Sequence, residues 1–197
     1  MKNFSKISLI ALTLVATSSC ALVEKFMAPK PLPQIDYLEG AQKMDIKKFF
    51  DGDIAGFAIK QGENGKIIET QSITVSASWD ENKGVIKKNA VANDGTKDIR
   101  TWLITVNSDG TFDAVGHDVA SPAKGKQIGN AAQSFYSLMV NDKSGREEVE
   151  FEERMYLVSD DQMMMITNFK RKKNSVAKED NRSFGKVITS FRKVSTK

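Results

Sequence analysis

The stretch VEFEERMYLVSDDQMMMITNFK, residues 149–170, reads as two β-strands turning back on each other at Ser159-Asp160-Asp161. Strand side chains alternate between faces, so Val149, Phe151, Met155 and Leu157 share one face of the first arm, and Met163, Met165 and Phe169 one face of the second. If paired residue numbers add to 320, the two apolar faces coincide: Met155 opposes Met165, Leu157 opposes Met163 and Phe151 opposes Phe169. The other face then sets Glu150 against Lys170 and Glu148 against Lys172. A slip of one residue would put Phe151 opposite Lys170, so burial decides the register. Cross-strand opposite charges add only ~0.2–1 kcal/mol each and reinforce that choice. On this reading the acids of 147–153 and the basic run Lys170-Arg171-Lys172-Lys173 are each other's partners. The competing reading, with Lys178 and Arg182 added, is a site for anionic lipid or peptidoglycan.

The same rhythm extends in both directions. Turn chemistry recurs at Glu63-Asn64-Gly65, Asp80 to Gly84, Asn93-Asp94-Gly95, Ser108-Asp109-Gly110 and Asn141 to Gly145. Between the turns lie alternating segments such as Ile73-Val75-Ala77-Trp79, Trp102-Ile104-Val106 and Tyr136-Leu138-Val140. Eight or nine strands are predicted, over 53–61, 66–79, 85–92, 98–107, 111–119, 132–141, 147–158, 162–171 and 184–194. One apolar face per strand and almost no helix require a sheet closed on itself or a sandwich. Sequential hairpins of this length favour an all-β, lipocalin-like up-and-down antiparallel barrel. Ahead of it, Asp45 can cap a short helix reaching Phe49-Phe50, whose aromatic pair would plug one barrel end. Trp79 and Trp102 are expected in the core.

At the other end of the chain, Lys2 and Lys6 precede an apolar run, Ile7 to Val15, too short to span a bilayer, followed by Ala16-Thr17-Ser18-Ser19-Cys20. This is the pattern of a cleaved lipoprotein signal over 1–19 with acylation at Cys20, although Thr17 stands where Leu is usual; ordinary secretion is the alternative. Residues 20–34 hold Pro29, Pro31 and Pro33 and read as an extended tether, and 35–197 as one barrel domain. Ala21, where Asp would retain the protein in the inner membrane, points to the outer membrane and a periplasmic face. The single cysteine excludes disulfides, and its acylation excludes thiol catalysis. The formal charge of +4, less the two signal lysines, leaves about +2, which does not call for a nucleic-acid partner.

Candidate chemistry is sparse. His117 is the one histidine and is placed between Val115 and Val119 on one strand face; with a serine it would be the only route to a relay. No phosphate loop, nucleophile elbow or metal-binding helix is present. Three consecutive methionines, Met163 to Met165, could suit a soft metal, but alternation turns Met164 away from the other two, so core filling is favoured. The segment 122–131 carries Lys124, Lys126, Gly125 and Gly129 without alternation and reads as a loop, either a lid over a cavity or a solvent loop.

Several strings taken together resemble a family of proteobacterial lipoproteins, domain-of-unknown-function family thirty-eight thirty-three. They are Ile35 to Gly40, Phe49-Phe50-Asp51-Gly52, Ser78-Trp79-Asp80, Arg100-Thr101-Trp102, His117-Asp118-Val119, Ala123-Lys124-Gly125, Gly129-Asn130-Ala131, Met155-Tyr156-Leu157 and Phe184-Gly185 before Phe191-Arg192-Lys193. The chain departs from that pattern at Glu152-Glu153-Arg154 and at Ser121-Pro122. The resemblance implies a lipoprotein with a lipocalin-like barrel and no assigned activity.

These readings converge on a non-enzymatic, outer-membrane-anchored binder of an apolar or amphipathic small molecule or lipid. His117, Lys126, Met163, Met165 and Phe169 are the candidate ligand contacts, and no metal or cofactor is expected. The expected partners are the membrane, through Cys20, and that ligand, with the chain a monomer. The alternative is an envelope protein docking a protein or peptidoglycan through the barrel exterior.

Overall fold

A computed structural model describes residues 35–62, 64–142, 145–171 and 184–194. They form one short helix, α1 (Ile46–Phe49), and ten strands: β1 (Gly52–Gly62), β2 (Ile67–Asp80), β3 (Lys83–Ala92), β4 (Lys97–Val106), β5 (Thr111–Val115), β6 (Val119–Ile128), β7 (Ala131–Asp142), β8 (Gly145–Ser159), β9 (Gln162–Arg171) and β10 (Phe184–Lys193). Cys20, the proline-rich tether, Lys172, Lys173, Lys178 and Arg182 lie outside the described residues.

Each strand pairs antiparallel with its sequence neighbours, and β1 pairs with β10 to close an up-and-down barrel. The β8–β9 hairpin has the register that burial demands: Met155 opposes Met165, Leu157 opposes Met163, Phe151 opposes Phe169 and Glu150 opposes Lys170. The predicted pairing of Glu148 with Lys172 falls outside the described residues.

Among the described residues the strand count is ten, not eight or nine. The missing strand is β6, which occupies the segment expected to be a loop or lid, and β5 ends at Val115 instead of running to 119. The physical reason lies in what β6 faces. Its inward positions are Ala123 and Gly125, both buried but too small to produce an apolar alternation. Pro122 sits in an irregular stretch between Ser121 and Lys124, where the pairing with β7 shifts register and no ladder donor is needed.

Gly125 is small because the ring of its cross-strand partner Phe112 lies over it. The device recurs across three other pairs: Trp79 over Gly84, Phe169 over Gly185 and Phe191 over Gly56. A Cβ on Gly84 or Gly56 would stand 2.7 Å from the facing ring. An aromatic laid across a glycine fills the barrel radius without spreading the strands.

Helix α1 closes one end. The Asp45 carboxylate accepts from the Lys48 backbone N–H at 3.0 Å, and the Ile46 N–H donates to the Gln127 side chain at 3.0 Å, satisfying two of the free donors of the first turn. Ile46, Phe49 and Phe50 are buried with Ile54, Met163, Leu157 and Phe191 in one core, as the plug reading expects. Trp79 and Trp102 are partly buried and pack against that core.

Candidate functional site

The barrel interior is not wholly filled. Beyond the plug, a cavity of about 110 Å³ is lined by apolar groups from α1 and opposite walls, among them Phe50, Ile104, Phe112, Met155, Met165 and Phe191. Four polar side chains with charge or a phenol also line it: Lys88, Arg100, Tyr136 and Glu153. Each occupies a position of inward parity. Lys88 follows Ile86 by two residues, Arg100 precedes Trp102 by two, and Glu153 lies between Phe151 and Met155.

Two hydrogen-bonded groups are built here, one on Glu153 and one on Arg100. The Tyr136 hydroxyl donates to Glu153 Oε1 at 2.7 Å, and Thr167 Oγ1 donates to the same oxygen at 3.4 Å. Burial pushes the Tyr136 phenol pKa well above its ordinary value, and the Glu153 charge and hydrogen bond push it in the same direction. The phenol therefore stays protonated and serves as a donor. Arg100 is held on its other side: its Nε donates to Asp118 Oδ2 at 3.0 Å, and an Nη lies 3.4 Å from Asp98 Oδ1.

Lys88 is different. Among the described residues, no acceptor stands within hydrogen-bonding distance of its Nζ. Desolvation lowers its pKa, opposed by the charges of Glu153 and Asp98 and aided by that of Arg100. It is an ammonium held in the barrel wall beside a cavity, with its donors unspent.

An aromatic layer stands beside the polar set. Tyr136 stacks on Phe151 with centroids 5.1 Å apart and planes within 8°, and the Trp102 ring meets Tyr136 edge-on at 5.1 Å. Phe151 continues to Phe169 at 6.1 Å. Further along the barrel, Lys60 lies 3.3 Å from Glu69, with its Nζ 5.8 Å from the centre of the Phe169 ring, and Arg171 lies 2.8 Å from Glu147. Such edge and stacked contacts hold the rings in place, so the cavity wall is a built surface.

Of the residues singled out from sequence, Met163, Met165 and Phe169 point into the barrel. Met165 lines the cavity, Met163 is packed solid behind it, and Phe169 belongs to the aromatic layer at the far side. Met163 and Met165 are buried while Met164 is only partly so, as alternation requires. His117 and Lys126 do not join them. His117 is exposed in the turn between β5 and β6, not on a strand face, and Lys126 is exposed on the outer side of β6, opposite Thr111 and Gln133. The site residues that sequence reasoning passed over are Lys88, Arg100, Tyr136 as a donor, and Glu153. Their signal was present, because each interrupts an apolar alternation with the parity of the core.

The family model for proteins of unknown function designated DUF3833 matches residues 27–177, well over half of the chain. The chain belongs to the DUF3833 family. Among solved structures it is similar to a protein of unknown function from the DUF3598 family of Nostoc punctiforme, with a TM-score of 0.50 and 13% identity over 80% of this chain and 54% of that one. The DUF3833 chain thus spans about half the length of the Nostoc protein, and the likeness is one of fold. It is also similar to EF1p2_mFAP2b, solved bound to DFHBI, with a TM-score of 0.41 and 11% identity over 75% of this chain and 95% of that one. No curated protein matches the chain.

Proposed function

We propose that this DUF3833 protein is a lipoprotein anchored through Cys20 in the outer membrane, facing the periplasm, whose barrel works in the manner of a lipocalin. On this reading it is not an enzyme but a binder of one small apolar or amphipathic molecule in its interior. The observation that carries the reading is the cavity of about 110 Å³ with apolar walls and a few convergent polar groups, the composition expected of a small-molecule site. A core needing only stability has no use for Lys88, Arg100 and Glu153 there, since buried charges are costly compared with well-packed apolar residues. The anchor rests on the short apolar run ending at Cys20.

The test is to purify the full chain from native membranes, extract it and identify what is released by mass spectrometry. One defined compound at near one per chain is expected. A clean extract, together with no saturable binding of any apolar probe, would refute the reading.

A second reading, docking through the exterior, has its own observation. Leu103 is 54% exposed and Val115 42% exposed, and Val85, Leu103 and Val115 stand side by side on neighbouring strands of the outer surface. A row of exposed apolar side chains suits a protein partner. Loss of a co-purifying protein on Leu103→Lys, with the interior ligand retained, would separate the two roles.

A further inference from the structure

We infer that the interior site selects a ligand with an uncharged oxygen head, a hydroxyl or carbonyl that accepts from Lys88, and discriminates against both carboxylates and amines. This deepens the proposed function and rests on it.

Size is the first constraint. A cavity of ~150 Å³ takes benzene, so the enclosed volume of about 110 Å³ holds no more than about six non-hydrogen atoms. Tyr136 also borders a wider opening of about 980 Å³ with Phe151 and Phe169, and the tail of a longer ligand extends there.

The head group follows from the donors and charges already committed. Asp98 and Asp118 lie on Arg100, and Glu153 accepts from Tyr136 and Thr167. Lys88, with no acceptor among the described residues, and the Arg100 N–H groups beyond those on Asp98 and Asp118 both offer donors to the cavity, so an acceptor on a ligand is matched there. A ligand carboxylate would supply it, but the charge count opposes this. The charged groups that act on Lys88 and Tyr136 are two cations, Lys88 and Arg100, against three carboxylates, Glu153, Asp98 and Asp118. Asp98 is the most exposed of the three, at 43% of its side chain, and even without it the cations do not outnumber the acids. No positive excess waits for an anion. A ligand ammonium would meet Lys88 itself. An uncharged acceptor takes a hydrogen bond from a charged donor, among the stronger kinds, and leaves the balance undisturbed.

Carbon-matched probes test this on the full-length chain in lipid nanodiscs, with empty nanodiscs as the blank, by titration calorimetry with 1-octanol, octanoate and octylammonium. The expected result is saturable binding of 1-octanol at one per chain, with the two charged probes at least tenfold weaker. Lys88→Met should weaken 1-octanol at least tenfold, the usual value of a hydrogen bond from a charged donor. The same variant should bind octylammonium more tightly than the wild type does, because it removes the cation that a ligand ammonium would meet; a misfolded variant cannot produce that gain. Octanoate binding as tightly as 1-octanol in the wild type, or 1-octanol binding unchanged in Lys88→Met, overturns the inference while the interior-binding reading stands. If none of the three probes binds, the interior-binding reading itself falls, and the inference with it.

Discussion

Gly125→Ala changes one hydrogen to a methyl in the strand that sequence reasoning did not find, and the structure says where that methyl goes. A Cβ at position 125 would overlap three ring carbons of Phe112, Cζ, Cε1 and Cε2, and Phe112 is 4% exposed, so the ring has no outward escape. Overpacking of this kind costs ~1–3 kcal/mol. The alanine recovers ~0.4–1 kcal/mol by restricting the unfolded chain. The net at the midpoints is a destabilisation of about 1.3 kcal/mol, which for a domain of this size lowers the melting temperature by roughly 3–5 °C. The free space beside Phe112 is the cavity it lines, so the displaced ring should enter that space and weaken any interior ligand. Gly62→Ala is the internal control. Its Cβ would meet nothing closer than Asn64 Oδ1 at 3.7 Å and Ile68 Cγ2 at 3.8 Å, both ordinary contacts, so it should be neutral or slightly stabilising. Thermal melts of the two variants, with probe titration of Gly125→Ala, decide the matter. Equal melting temperatures for the two, or undiminished probe binding in Gly125→Ala, would refute the aromatic-over-glycine account of this wall.

Tyr136→Phe removes the 2.7 Å hydrogen bond to Glu153 and leaves that carboxylate with Thr167; hydrogen bonds to charged groups are worth ~1.5–3 kcal/mol, so a melt about 3–12 °C lower is expected. A loss near zero would mean that cavity water replaces the phenol. For Lys88 the sign follows from desolvation, which places its folded pKa below that of the unfolded chain. Below the folded pKa the penalty is fully present; between the two values the unfolded chain binds more protons, so stability rises with pH. Wild type should therefore gain stability relative to Lys88→Met as pH is raised from 7 toward ~10 in chemical denaturation, and a constant difference would contradict the burial of that ammonium. Cys20→Ser should abolish acylation and release the chain from the membrane fraction, while unchanged size and retention would count against a lipid anchor.

Much of the barrel was legible because alternation is a local signal. The β8–β9 register could be worked out from residues 149–170 alone, since a shift of one position sets Phe151 against Lys170, and the structure has the expected pairing. The cap at Asp45 was legible for the same reason: it involves residues three apart. The family was also within reach, because short strings in order and spacing persist along the chain.

What the tertiary structure alone decided is non-local. β6 shows no apolar alternation because its inward face is made of Ala123 and Gly125, and Gly125 is small because Phe112, on another strand, fills the space above it. Lys88, Arg100 and Glu153 share core parity in the sequence, yet a charged residue among apolar ones is read as an exception until closure of β1 on β10 leaves it no outside to reach. Exposed His117 and Lys126 show the converse, since chemical character marked them as candidates and the strand ends and face turned them outward. The volume of the cavity belongs to no single segment. It is the difference between the barrel radius, set by ten paired strands, and the side chains that those strands and the Phe49-Phe50 plug turn inward.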